Sequence, residues 1–150
     1  MTTALIRPLR AADEAGWRPL WQGYLAFYAT DLPEAVTAMT WRRLLDPQEP
    51  IFGLVAERSS GIAGFAHCVL HRGTWLLTNH CYMEDLFVAS DARGSGLGRA
   101  LIGAVYREAD ARGADRVYWL THETNATARS LYDHVAQRSG YIHYVRATSS

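Results

Sequence analysis

The sequence is poor in cysteine, balanced in charge and free of long apolar runs. Its two cysteines, Cys68 and Cys81, are too few for a disulfide framework and do not have close metal-ligand spacing. Fifteen basic residues balance fifteen acidic ones, so no global field attracts nucleic acid or an anionic membrane. No stretch has the apolar length of a signal peptide or a bilayer span. We therefore expect a cytoplasmic protein without nucleic-acid or membrane partners.

The composition is that of an ordinary globular protein. Hydrophobic residues make up 49% of the chain and charged residues 20%, which argues against a mainly disordered chain. A length of 150 residues is enough for one sizeable core. The sequence contains no internal repeat, low-complexity tract or linker. We expect a single domain over residues 1–150.

Hydrophobic periodicity and turn residues predict a mixture of strands and helices. We expect the order strand, two helices, three strands, helix, strand, helix, strand. The predicted elements are a strand at 4–10, a helix capped by Asp13, a helix from Pro33 to near the prolines of "LLDPQEP", strands at 51–57, 62–71 and 81–90, a helix at 96–112 stopped by Gly113, a strand at 115–121, a helix at 125–139 and a closing strand at 140–147.

Four aromatic residues follow helical spacing in the first predicted helix: Trp17, Trp21, Tyr24 and Tyr28. Such a stripe is typical of a buried helix face, and it is also a suitable wall for an open substrate groove. Both interpretations can hold for different rings.

A glycine-rich turn, "RGSGLG" at residues 93–98, joins a predicted strand to a helix. Glycines allow positive φ angles, and a helix N-terminus presents unpaired N–H groups, so the turn suits a phosphate group. It lacks the glycine spacing of a dinucleotide-binding fingerprint and both the spacing and the lysine of a P-loop. A glycine-rich connection without a ligand remains an alternative.

The pattern R-x-x-G-x-G after the strand "YMEDLFV" resembles the acyl-coenzyme A pyrophosphate loop of the GNAT N-acetyltransferase superfamily. The later segment "VYWLTHETNATARSLYDHVAQRSGYIHYVR" is especially similar to the branch with Hpa-type histone and polyamine acetyltransferases, related to spermidine/spermine and thialysine acetyltransferases. The resemblance covers essentially the whole chain. It implies an α/β (α+β) fold: a mixed, curved sheet with helices on both faces, splayed near the fourth and fifth strands.

The resemblance also implies two catalytic residues. Tyr132 in "ARSLYDHV" matches a tyrosine that protonates the departing thiolate; its alternative is to pack its helix beside Leu131 and Val135. Glu84 matches a glutamate that contacts the substrate amine. It would either receive the proton of the amine or hold the charged amine electrostatically. Glu84 and Asp85 are neighbours on a predicted strand, so we expect their side chains on opposite faces. Asp85 would alternatively secure a strand bulge.

The remaining site residues come from the resemblance, from the glycine-rich turn and from the aromatic stripe. Asn125 has a plain helix N-cap as its alternative, and Arg129 and His122 have a purely structural or solvated role as theirs. The predicted cofactor-binding residues are Leu86, Phe87, Val88, Arg93, Gly94, Ser95, Gly96, Leu97, Gly98, Arg99, Asn125 and Arg129, and the predicted substrate-binding residues are Glu84, Asp85, Tyr24, Tyr28 and His122. The six histidines fit no zinc motif, so we expect no metal.

The predicted function is direct transfer of an acetyl group from acetyl-coenzyme A to an amine, without a covalent enzyme intermediate. Asp31, Glu34, Glu84 and the aromatic stripe would favour a cationic acceptor: a polyamine, an amino acid or a lysine-bearing peptide. The alternatives are acetylation of a protein N-terminus or an aminoglycoside, an acyl-coenzyme A sensor without turnover, and a nucleotide-binding regulatory domain. Because a C-terminal strand contributes to dimers in related proteins, we expect a homodimer.

Overall fold

A computed structural model describes residues 4–147 of the chain. The chain divides into two units, one up to Leu120 and one from Thr121 onward. The first unit contains β1 Leu5–Pro8, α1 Glu14–Phe27, α2 Glu34–Leu45, β2 Ile51–Arg58, β3 Gly61–Arg72, β4 Asn79–Val88, α3 Leu97–Ala111 and β5 Arg116–Tyr118, and the second contains α4 Ala126–Val135. Within residues 4–147, no helix is both long and apolar enough to cross a membrane.

The strands of the first unit form one mixed sheet in the order β1-β2-β3-β4-β5. Neighbouring strands are antiparallel from β1 to β4, whereas β5 runs parallel to β4. The β4–β5 pairing covers only His80 to Tyr82 of β4, while β4 continues beside β3 to Val88. The sheet is therefore splayed beyond Tyr82, as the family resemblance implies.

Helices cover both faces of this sheet. On β3, Phe65 and His67 meet the indole rings of α1, whereas Gly64, the position before Phe65, faces Leu101 of α3. The larger aromatic core lies under α1 and α2, with residues Leu9, Trp17, Trp21, Leu25, Trp41, Leu44, Val55 and Phe65. The predicted α/β fold class, with helices on both faces of a mixed sheet, is confirmed.

The aromatic stripe of α1 changes from buried to exposed along the helix. Trp17 is 0% exposed and Trp21 5%, whereas Tyr28 is 42% exposed and Tyr24 lies between them. Trp17 stacks on Trp21 with ring centroids 5.4 Å apart, and the Trp21 indole N–H donates to Thr37 Oγ1 at 3.0 Å. The two tryptophan rings belong to the core, and the two tyrosine rings are progressively more exposed to solvent.

Helix α3 follows the predicted pattern closely. Its buried residues include all five predicted for that face, which are Leu97, Leu101, Ala104, Val105 and Ala109. Gly113 has a φ of +72°, and its N–H donates to the Asp110 carbonyl, so it ends the helix as predicted.

Three predicted features differ from the structure. Residues 140–147 form no strand, because strand formation requires a pairing partner in addition to β-prone residues such as Tyr141 and Ile142. β5 and α4 are also shorter than predicted. Asp13 occupies the N-cap position of α1 without a side-chain capping bond, because its carboxylate instead accepts two bonds from the Arg7 guanidinium.

Candidate active site

A β-bulge in β4 determines where the two predicted acidic residues lie. Asp85 pairs with His67 and Met83 pairs with Cys68, so Glu84 is an extra residue without a partner in the β3 register. Regular alternation would place Met83 and Asp85 on one face. The bulge instead places Met83 beside Cys68 on the α3 face and Asp85 beside His67 on the α1 face. Regular alternation along β4 predicts opposite orientations for Glu84 and Asp85. The bulge interrupts that alternation at Glu84.

Asp85 belongs to a hydrogen-bonded chain of four side chains that reaches into the core. The Trp17 indole N–H donates to His67 Nε2 at 3.0 Å. His67 Nδ1 lies 2.9 Å from Asp85 Oδ2, and the Tyr24 hydroxyl donates to Asp85 Oδ1 at 2.6 Å. His67 is only 3% exposed and its ring stacks on Phe65. Both carboxylate oxygens of Asp85 are therefore engaged by side chains of the protein.

Sequence reasoning did not identify Trp17 and His67 as members of this site. The two residues are fifty positions apart, and neither belongs to a local motif. The aromatic stripe of α1 and the isolated His67 on an apolar strand were the available signals, and both are common in ordinary cores.

Burial and negative charge shift the pKa values of the groups around the bulge. The pKa of the Glu84 carboxyl is raised, first by burial and then by the charge of Asp85. The Tyr24 hydroxyl also has a raised pKa, caused mainly by burial and then by Asp85. The same two causes raise the pKa of Tyr28. The tyrosines thus stay protonated at neutral pH, and Glu84 is a stronger base than an ordinary glutamate.

The glycine-rich turn has the backbone that its sequence predicts. Gly94 and Gly96 have φ values of +78° and +84°, and a Cβ atom added at either would meet nothing within 4 Å. Gly96 is the N-cap of α3, whose first N–H groups lack acceptors within the helix. A left-handed backbone facing open space at a helix N-terminus suits the close approach of a diphosphate.

The two arginines near this turn have different surroundings. Arg93 Nε donates to the Val88 carbonyl at 3.1 Å, and its guanidinium lies 5.5 Å from the Phe87 ring centroid and 5.9 Å from that of Phe27. Arg93 therefore links the end of β4 to the end of α1. Arg99 is exposed on the first turn of α3.

The last residues of β4 offer a free backbone edge. Leu86, Phe87 and Val88 pair with β3, and the described β5 pairing stops four residues before Leu86, at Tyr82. The side chains of all three are half-buried, and Phe87 packs edge-on against Tyr24 with centroids 5.9 Å apart. An extended ligand would add to this edge by main-chain hydrogen bonds.

Four predicted site residues lie in the second unit. Asn125 is the N-cap of α4, and its side chain accepts from the Ala128 N–H at 3.3 Å. Arg129 donates to the Glu123 carbonyl at 2.6 Å. Tyr132 is half-buried in α4, and His122 is exposed before it. The structure therefore gives Asn125 and Arg129 local bonds, while their roles toward a cofactor stay predictions.

A separate cluster lies at the far end of β3 and β4. His71 Nε2 lies 2.7 Å from the Tyr118 hydroxyl, and a cavity of about 260 Å³ is lined by residues that include Trp75, His80 and Arg116. None of the predicted site residues lines this cavity. Within residues 4–147, no three His, Cys, Asp or Glu side chains are grouped as a metal-ligand set.

Comparison with known families identifies the fold and its general chemistry. The sequence profile of the acetyltransferase (GNAT) family matches residues 17–136 of the chain, a span that includes the bulge, the glycine turn and α4. The chain belongs to the GNAT acetyltransferase family. The protein is an N-acetyltransferase. The role of its glycine turn as a pyrophosphate loop stays a prediction.

The alignments with individual relatives cover nearly the whole chain. It is 37% identical over 144 residues to D-amino-acid N-acetyltransferase HPA3 of Saccharomyces cerevisiae, covering 95% of this chain and 89% of that protein. It is 31% identical over 143 residues to Uncharacterized N-acetyltransferase YhfO of Bacillus subtilis, covering 93% and 94%. The solved structure of aminoglycoside N-acetyltransferase AAC(6')-Iy in complex with CoA has a TM-score of 0.84 at 16% identity, covering 99% and 97%.

Proposed function

We propose that the protein transfers an acetyl group from acetyl-coenzyme A to the primary amine of a small cationic acceptor, with amino acids and polyamines as the first classes. The observation that carries this proposal is the position of Glu84 in the β4 bulge, next to Asp85 and its hydrogen bond from Tyr24. Carboxylate and phenol oxygens there favour an ammonium group, and the family membership supplies the acetyl-transfer chemistry. Acetylation of a lysine side chain would use the same features.

The residues present fit acetyl-coenzyme A. Its pantetheine arm would bind to the free edge at Leu86, Phe87 and Val88, and its diphosphate would bind to the turn from Gly94 to Arg99. The open left-handed positions at Gly94 and Gly96 support this assignment. Bound there, acetyl-coenzyme A supplies an acetyl group activated as a thioester.

Glu84 has the task of preparing the acceptor amine. A lysine-like amine with pKa near 10.4 is neutral in about one molecule per thousand at pH 7.4, so deprotonation costs about 4 kcal/mol. Burial and the charge of Asp85 raise the pKa of Glu84, which makes its carboxylate a better proton acceptor. Glu84 would both attract the ammonium form and take the proton as the nitrogen–carbon bond forms.

Tyr132 has the complementary task of returning a proton to the departing thiolate. A phenol with an ordinary pKa near 10 is protonated at neutral pH and can donate to a thiolate. Its position in α4, inside the matched family region, supports this role. Because an oriented amine reacts directly with the thioester, the transfer needs no covalent enzyme intermediate.

The relatives favour amino acids as acceptors. A protein 37% identical over most of this chain is named a D-amino-acid N-acetyltransferase, which supports testing the α-amine of amino acids first. The aminoglycoside acetyltransferase shares the fold at 16% identity and carries no argument about substrate.

The test is thiol release from acetyl-coenzyme A with D- and L-amino acids, polyamines, a lysine peptide, an aminoglycoside and a protein N-terminal peptide. We expect turnover of a small amine, and a loss of about a hundredfold in kcat for Tyr132→Phe with unchanged cofactor binding. Trp75→Phe is the control for loss of one aromatic hydrogen-bond donor, because Trp75 is 89% exposed and belongs to the separate cluster at the far end of β3 and β4. Cofactor binding without turnover of any amine would favour a sensor, and adenine-nucleotide binding as tight as that of acetyl-coenzyme A would favour a regulatory domain.

We also propose that the protein acts as a homodimer. Residues 137–147 lie in no helix or strand, and four large apolar side chains there are 73% to 87% exposed: Tyr141, Ile142, Tyr144 and Val145. Apolar residues at this density support burial against a second copy. Gel filtration over a range of concentrations tests this, and a concentration-independent monomer would contradict it.

A further inference from the structure

The buried chain from Trp17 to Tyr24 has a defined hydrogen-bond direction. The indole nitrogen of Trp17 is only a donor, so His67 Nε2, 3.0 Å away, must accept. An imidazole that accepts at Nε2 is neutral and carries its proton on Nδ1. Nδ1–H then donates to Asp85 Oδ2 at 2.9 Å. Trp17 thus selects one tautomer of His67.

The same direction continues through Asp85 to Tyr24. An ionised carboxylate only accepts hydrogen bonds, so the Tyr24 hydroxyl must donate its hydrogen to Asp85 Oδ1, 2.6 Å away. The hydroxyl hydrogen of Tyr24 is therefore committed to Asp85, and the oxygen retains only lone pairs for another partner. Tyr24 is half-buried, whereas Trp17 and His67 are buried, so the chain runs from the core outward.

The groups at the outer end of this chain are all acceptors. Glu84 follows Met83 in the bulge; the residue reaches solvent, but its carboxyl is partly desolvated, and its charge contributes to the raised pKa of Tyr24. A ligand bound beside the Tyr24 oxygen and the Glu84 carboxylate must therefore provide hydrogen-bond donors. An ammonium group has three, whereas an ether or carbonyl oxygen has none.

We propose, on the basis of the acetyltransferase function above, that Trp17 and His67 are positioning residues that fix the hydrogen-bond direction at Asp85 and Tyr24. The Tyr24 oxygen then accepts an N–H of the acceptor amine and acts as a specificity-determining contact beside Glu84. Asp85 serves this arrangement by holding the Tyr24 hydroxyl, since both of its oxygens already bind protein groups.

The tautomer of His67 can be measured without turnover. In protein labelled with ¹³C and ¹⁵N at histidine, the ring signals of His67 are assigned by their absence in His67→Asn. We expect a neutral ring with the proton on Nδ1, because the hydrogen bonds of the two ring nitrogens require it. A ring protonated on Nε2, or on both nitrogens, would overturn the proposal.

Two tryptophan variants separate hydrogen-bond direction from packing. Trp17→Phe removes the donor to Nε2, so the His67 signals should no longer report a single tautomer. Trp41→Phe is the matched control, since Trp41 packs against Trp17 with centroids 4.8 Å apart and the chain to Tyr24 does not include it. If both variants changed the His67 tautomer equally, Trp17 would act through packing alone and the proposal would fail.

Kinetics of Tyr24→Phe test the outer end of the chain. Loss of one hydrogen bond to a charged group should raise KM for the amine about tenfold, with KM for acetyl-coenzyme A unchanged. An unchanged amine KM would refute the Tyr24 contact. If the unmodified protein acetylates no amine, the acetyl-transfer proposal and the substrate role of Tyr24 both fail, whereas the tautomer result still decides the direction of the buried chain.

Discussion

Glu84 and Asp85 are consecutive residues at the bulge of β4, and the charge of Asp85 contributes to the raised pKa of Glu84. The pKa of Glu84 is raised, mainly by burial and secondarily by the charge of Asp85. Asp85 meanwhile accepts hydrogen bonds from Tyr24 and His67. Asp85 is thus held in place by hydrogen bonds, while its neighbour Glu84, the proposed base, has a raised pKa.

The pH dependence of kcat/KM should report the raised pKa of Glu84. Glu84 accepts a proton only when ionised, so activity should fall as the pH decreases through its pKa, at a higher pH than for an ordinary glutamate. Asp85→Asn removes one of the causes that raise this pKa, so the acidic limb should move to lower pH. Asp110→Asn, an exposed change on α3, should leave the limb in place. An acidic limb unaffected by Asp85→Asn would contradict the coupling.

Replacing Glu84 should improve stability while it removes activity. A carboxyl whose pKa is raised on folding destabilises the folded state at pH values above both pKa values, and this effect vanishes below the unfolded value. Glu84→Gln should therefore raise Tm at pH 7 but not at pH 4, and should lower kcat/KM about a hundredfold. Glu123→Gln, at an exposed residue, is the control for loss of a surface charge. A lower Tm at pH 7 would show that Glu84 is a net stabilising group.

The features that the sequence predicts well are those coded by local patterns. Leu97, Leu101 and Val105 recur at helical spacing, so the buried face of α3 follows from periodicity. The turn before it follows from glycines that are required at positive φ. No local sequence pattern predicts the bulge at Glu84, because alternation through Met83 and Asp85 predicts a regular strand. The partnership of Trp17 with His67 depends on the packing of α1 against β3 and has no local signal either.

The closing segment shows the same limit for strands. Its residues, "GYIHYVRA", have high β propensity, yet β propensity reflects packing against a neighbouring strand and is not a property of the isolated backbone. Residues 140–147 have no strand assignment, so the propensity alone did not determine the structure.

Alanine in the glycine turn should weaken cofactor binding. Gly96 has a φ of +84° with open space around its Cα, so Gly96→Ala adds backbone strain without a steric clash. Left-handed backbone costs a non-glycine residue about 1–2 kcal/mol, which corresponds to roughly a tenfold rise in the Kd of coenzyme A if the turn relaxes. Calorimetric titration with coenzyme A measures this effect.

The matched control for that variant is Gly103→Ala in the same helix. Gly103 lies inside α3, and an added Cβ would meet only Arg107 Nη1 at 3.5 Å, an ordinary contact. Alanine there should stabilise the protein by about 0.5–1 kcal/mol and leave the Kd unchanged. Equal effects of the two variants on the Kd would exclude a specific role for the turn.

The close approach of β3 and β4 at Gly64 should fix the position of Phe87 at the proposed cofactor edge. A Cβ at this position would lie 2.8 Å from the Phe87 carbonyl oxygen, so Gly64→Ala must push β4 away from β3. Phe87, which would be displaced with β4, packs on Tyr24 and lies at the proposed pantetheine edge. We expect a loss of about 1–3 kcal/mol in urea unfolding and weaker coenzyme A binding. Gly23→Ala places a Cβ 3.4 Å from the Phe87 ring from the α1 side, an ordinary contact that should preserve both properties. Unchanged binding in Gly64→Ala would show that the position of Phe87 does not control the cofactor edge.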